Sequence, residues 1–215
     1  MHRPHSNQVA VSASGPCDGC PMVPESSAVT AAMSVAERYF SPAFLNHSVR
    51  SYVWGTMYAE AHGIDRDDEL FCVAALLHDI ALAPSFDSHT VPFEEAGGEV
   101  ARVFGLAAGW PAGRTDRVAE IIVLHMRDDV SADMDPESHL LQVATSWDVV
   151  GRWQDEFPPQ DRAATLERYP RLGFGKEFLA HFEDQAARKP GSAAAASVDR
   201  HLAARIAAHP LDAGP

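Results

Sequence analysis

After about residue 25, apolar side chains recur at helical rather than alternating spacing. Val29, Met33, Ala36 and Phe40 fall at i, i+4, i+7 and i+11, the face of a first helix. Pro42 restarts the chain, and a second helix runs through Val49, Val53, Met57 and Ala61 to a stop at Gly63. Asp65 is the predicted N-cap of a third helix, whose acidic first turn Asp67-Asp68-Glu69 suits the helix dipole. That helix carries the uncharged run from Phe71 to Leu77 and stops before Pro84, where a loop begins and lasts to Val91. Pro92 opens a fourth helix through Val100, Val103 and Phe104 to Gly105. Residues 114–127 make a fifth, and Asp135-Pro136 starts a sixth through Leu140, Leu141, Ala144 and Asp148 to about Trp153. Pro158, Pro159 and Pro170 divide the remainder into shorter helices over 163–168 and 176–188, with a terminal helix over about 198–208. No segment reads as a strand and no repeat is present, so the pattern predicts an all-α fold.

The 215 residues suffice for one full core. Residues 1–25, rich in Pro, Ser and Gly, read as a flexible tail before a helical domain over 26–215. Lys+Arg 17 against Asp+Glu 30 gives a net charge of −13, which argues against nucleic acid or an anionic membrane as the main partner. A small-molecule substrate remains. No apolar run is long enough to span a bilayer and no secretory signal is visible, so the expected location is cytoplasmic. The three cysteines form no disulfide framework. Cys17-Asp18-Gly19-Cys20 has CxxC spacing but stands alone in the tail and reads as incidental thiols, with redox or metal capture as the lesser alternative. Cys72 reads as a core residue.

Chemistry enters at Leu76-Leu77-His78-Asp79, the end of an apolar run. A carboxylate is rarely buried there unless it is paired or binds a metal. His47 upstream and Asp148 downstream complete a His…His-Asp…Asp set. Alone, His47 reads as a hydrogen-bonded core histidine and Asp148 as a partner of Arg50 or Arg152. The four in this order point to a divalent cation. Imidazole and carboxylate without sulfur suit zinc first, with iron or manganese as alternatives.

Three blocks carry a resemblance: Asn46-His47-Ser48-Val49-Arg50, Leu76-Leu77-His78-Asp79-Ile80, and the stretch from Leu141 to Gly151 containing Asp148. They resemble the signature blocks of the HD-domain metal-dependent hydrolase superfamily over about residues 40–152. Within it, the His-Ser-x-Arg block, Phe93-Glu94 followed by Gly97-Gly98, and Ile121-Ile122-Val123-Leu124-His125 resemble the cyanamide hydratase-like branch. The resemblance implies an HD helical bundle with additional C-terminal helices, and His47, His78, Asp79 and Asp148 as ligands of one metal ion. It also implies addition of a metal-activated water to a small nitrile such as cyanamide, giving urea.

For that reaction the candidate proton donors are His125, Glu94 and His89, with Asp79 able to shuttle the water proton. Arg50 is expected to orient Asp79 or Asp148. Phe86, Phe93 and Trp147 are candidate pocket walls, with plain core as the competing reading. His139 precedes Asp148 by nine positions, about 900° of helix rotation, and so lies on the opposite face. His89 or His125 would be needed for a second metal; one metal is preferred. The alternative activity is a phosphohydrolase acting on a nucleotide or phosphate ester. Between residues 40 and 152 there are arginines but no lysine, which favours a small neutral substrate. A two-iron oxygenase would need more ligands than can be assigned. From another class, a non-catalytic metal-binding regulatory module would have no reason to bury four ligands. Residues 155–215 either cover the core or make a homo-oligomer contact.

Overall fold

The computed structural model describes residues 21–212. Cys17 and Cys20 lie outside the described residues. Ten α-helices make up the order within them, and no strand occurs. They are α1 (Ser27–Tyr39), α2 (Pro42–His62), α3 (Asp68–Leu77), α4 (Phe93–Ala107), α5 (Ala112–Leu124) and α6 (Pro136–Val150). The C-terminal set is α7 (Pro159–Arg168), α8 (Phe174–Arg188), α9 (Ala193–Asp199) and α10 (Leu202–Ala207).

Side-chain caps set several starts. Ser26 Oγ accepts from the Val29 amide, and Ser41 Oγ accepts from the Phe44 amide just before Pro42. The cap of α3 is Asp67, not Asp65: its Oδ1 accepts from the Leu70 amide at 3.0 Å, whereas Asp65 reaches only the adjacent Arg66 amide. At the other end α2 stops at Gly63 and α6 at Gly151, both left-handed at φ 66° and 72°. At Gly151 an added Cβ would also meet Pro210 Cδ at 2.7 Å.

Every residue of α3 from Leu70 to Leu77 is buried, as an all-round apolar helix requires. It packs on α1, α2, α5 and α6, and α2 crosses α6. Two departures from the sequence expectation matter for the site. First, α3 ends at Leu77, and His78 and Asp79 occupy the turn before a short 3-10 segment, Ile80–Leu82. The ligand pair therefore lies just beyond the helix end. Second, the expected terminal helix is two, broken at His201, which has φ 60°.

The C-terminal helices cover the core. Phe174, Phe178 and Phe182 of α8 pack with Phe44 and Phe93. The loop after the His-Asp pair is fastened to α8 through Asp87, which accepts from Gln185 Nε2 at 2.8 Å and Arg188 Nη2 at 2.6 Å. No helix among the described residues is long and apolar enough to cross a membrane.

Asp135 caps α6 through the Ser138 amide at 3.0 Å and accepts from Arg117 Nη1 at 2.8 Å. Burial alone would raise its pKa; Arg117 and the Ser138 amide outweigh burial and hold it below the ordinary 3.8. Replacing Asp135 by Ala is expected to cost about 1–2 kcal/mol at pH 7, measured by urea unfolding. A carboxylate depressed in the folded state stabilises fully above its unfolded pKa and ceases to do so as pH falls through its folded pKa. The gap between wild type and variant should thus stay constant from neutral pH down to near 3.8 and close below it.

Candidate metal centre

Three buried side chains converge: His47 from α2, and His78 and Asp79 from the turn after α3. His47 is 0 % exposed, and His78 and Asp79 are 1 % each. The separations are 3.1 Å between His47 Nε2 and His78 Nε2, 3.5 Å from His47 Nε2 to Asp79 Oδ2, and 3.3 Å from His78 Nε2 to Asp79 Oδ2. Zinc bonds to nitrogen and oxygen of about 2.0–2.2 Å place tetrahedral ligands about 3.3–3.5 Å apart, so the triangle fits one such ion with a fourth position left over.

The far sides of the rings assign the tautomers. His47 Nδ1 is 2.7 Å from Asp148 Oδ2, and His78 Nδ1 is 2.8 Å from the Ala75 carbonyl. Both partners only accept, so each Nδ1 carries a proton, and in the neutral imidazoles each Nε2 is left with its lone pair. Asp79 Oδ2 is fully buried and accepts no well-directed hydrogen bond. Two lone pairs and an orphaned carboxylate oxygen facing one another in a dry interior call for a cation. Burial would push Asp79 up, but His78 and His47 overcome it and hold the carboxyl well below the usual range. Burial would lower His78, yet Asp79 raises it overall.

Asp148 makes the pair with Arg50 that the sequence offered as one reading. Its Oδ1 accepts from Arg50 Nε at 2.7 Å and Trp54 Nε1 at 2.9 Å, and its Oδ2 from Arg50 Nη2 at 2.7 Å and His47 Nδ1 at 2.7 Å. It stands behind His47, on the ring nitrogen opposite the one that faces His78 and Asp79. In this arrangement it holds the His47 ring through Nδ1 and is not among the three donor atoms of the triangle. Burial would raise its pKa, and Arg50 and His47 hold it well below the ordinary value. Arg50 is likewise fully buried behind the centre, so it positions Asp148 and does not line the cavity.

A cavity of about 100 Å³ opens on the triangle. His125 lines it, with its ring centroid 5.0 Å from that of His78. His125 Nδ1 is held by the Ile122 carbonyl, so Nε2 is the lone-pair nitrogen. Burial, with His78 beside it, pushes His125 down to about 4. The other candidates stand elsewhere. His89 is exposed on the loop. Glu94 is buried, with Oε2 unpartnered and its pKa raised by burial, but it does not line the cavity. His139, discounted as a ligand, bonds the Val130 carbonyl. Phe86 packs edge-on against Tyr39, Phe93 is buried against Phe182, and Trp147 is buried between Trp54 and Phe157.

The aromatic wall is instead Phe178 and Phe182 of α8. Phe174 stacks on the His47 ring at 4.2 Å. The spacing of these phenylalanines marks a helix face, but nothing in the sequence says which cavity that face meets.

The chain belongs to the HD-domain family, whose model matches residues 44–152. The buried His-His-Asp triangle and this membership make it a metal-dependent enzyme of the hydratase and hydrolase class. Among characterised proteins it is similar to two from Saccharomyces cerevisiae, cyanamide hydratase DDI2 and cyanamide hydratase DDI3. Each is 28 % identical over 172 residues, covering 78 % of this chain and 76 % of the relative.

Replacing Arg50 by Met strips a fully buried carboxylate of its bidentate partner. The expected loss is about 3–5 kcal/mol, read by urea unfolding of the metal-free protein. A loss below about 1 kcal/mol would mean that Asp148 does not depend on Arg50.

Proposed function

We propose that this chain hydrates a small nitrile, with cyanamide giving urea as the leading case. The observation that carries the reading is a buried three-donor triangle, spaced for one cation, opening on a small cavity. The likeness to the two yeast cyanamide hydratases supports the same substrate. His47 Nε2, His78 Nε2 and Asp79 Oδ2 would hold the ion, zinc by preference. A divalent ion held there would supply Lewis acidity toward a water and the nitrile.

The residues supply the rest. Arg50 and Trp54 lock Asp148, Asp148 holds His47 in its Nδ1–H form, and the Ala75 carbonyl does the same for His78. His125 presents a neutral Nε2 to the cavity, suited to accept the proton of the incoming water and return it to the nitrile nitrogen. The C–O bond forms as one π pair of the triple bond moves to nitrogen, which takes that proton. A second proton shift from oxygen to nitrogen yields the amide. Phe178 and Phe182 keep the cavity wall apolar. A phosphate ester is the second reading, favoured by arginines at the cavity.

Elemental analysis and urea release from cyanamide test the proposal together. His78→Ala and Asp79→Ala should each lose the metal and at least about three orders of magnitude of activity. Unchanged urea release from a metal-free variant would overturn it. His125→Gln should keep the metal and lower kcat by about 10²–10⁴-fold; an unchanged kcat would remove His125 from the mechanism.

A further inference from the structure

Four arginines, Arg127, Arg152, Arg200 and Arg205, line the same cavity as His47, His78 and Asp79. They arrive from separate parts of the chain: the turn after α5, the turn after α6, the end of α9, and α10. Arg200 and Arg205 lie outside the segment that matches the family. In a chain with 17 basic residues and a net charge of −13, such a concentration at one opening stands out against the acidic remainder.

Their opposition is slight. Besides Asp79, the one carboxylate on the lining is Asp128, which bonds Arg200 Nη1 at 3.0 Å in an exposed position. The Arg152 guanidinium lies over the Trp153 ring at 4.1 Å. Arg127 and Arg205 make no ion pair or side-chain hydrogen bond among the described residues. Arg205 is half-buried, and burial with the charges of Arg152 and Arg200 lowers its pKa, outweighing the opposing pull of Asp128. An anion on these guanidinium forks would relieve both the desolvation and the mutual repulsion.

We propose that the four arginines form a collar for a carboxylate, so that beside cyanamide the centre takes nitriles that carry a carboxylate at the end away from the reacting carbon. Resting on the nitrile-hydrating reading above, the substrate class is a short cyano acid, with cyanoacetate as the simplest probe. A slender molecule would sit with its nitrile at the triangle and its carboxylate at the arginines, which line the same cavity. Hydration then turns the nitrile into an amide, with water added across the triple bond and the carboxylate unchanged.

Two measurements keep this proposal separate from the reading it rests on. Titration calorimetry of the metal-free His78→Ala protein with cyanoacetate and with neutral propionitrile reports the collar without turnover. Cyanoacetate should bind and propionitrile should not. Added salt should weaken the binding, and Arg200→Gln and Arg205→Gln should each weaken it by about three- to tenfold. In the metal-loaded enzyme, the KM preference for cyanoacetate over propionitrile should shrink by the same factors. Arginine-dependent binding without any turnover supports the collar and sinks the nitrile reading. Equal binding of the two nitriles, binding indifferent to the arginines, or stronger arginine-dependent binding of phenyl phosphate overturns the collar for a carboxylate.

Discussion

The centre depends on one buried carboxylate behind it. Asp148 is fully enclosed, and a charge in that position persists only if every lone pair is met. Arg50 meets it with two donors, Trp54 with one and His47 with another. The three partners sit at i, i+3 and i+7 on α2, one face of a single helix, while Asp148 belongs to α6. The crossing of α2 and α6 is therefore pinned by the interaction that aims His47 at the ion. Arg171, between α7 and α8, ties the Asp148 carbonyl at 2.7 Å and pairs with Asp212, extending the brace to the end of the described chain.

This order of dependence explains which parts of the site were legible in the sequence. The His78-Asp79 pair stood out because ionisable groups after a run of buried aliphatic residues demand a partner. Its neighbour in space, His47, followed from spacing and block order. Asp148 was legible as buried and as a candidate partner of Arg50, but its bond to His47 was not. Helical periodicity says which way a side chain faces, not whether the group it meets is an ion or the back of an imidazole. Phe93 and Trp147 show the same limit: their apolar character was plain, and both went to the core rather than the cavity.

Most of the helical order was readable from periodicity, Pro and Gly. The misplaced details turn on local geometry that residue type does not dictate. Asp65 and Asp67 are equally good caps by type, and only the reach of a carboxylate to the Leu70 amide separates them. The break at His201 requires a left-handed backbone at a non-glycine residue. Least legible were Phe178, Phe182, Arg200 and Arg205, which join the cavity across long sequence separations. Counting cations over residues 40–152 gave a sparsely charged site because half the collar lies beyond that window.

The wall supplied by α8, α9 and α10 separates two duties along the chain. Every group facing the cation gap comes from α2 and the turn after α3, whereas the aromatic wall and two of the collar arginines come from residues 174–207. Reactivity and selectivity are thus encoded in stretches that can drift independently. Exchange of the later stretch alone would retune which molecules gain admission while the electrophile stays as it was.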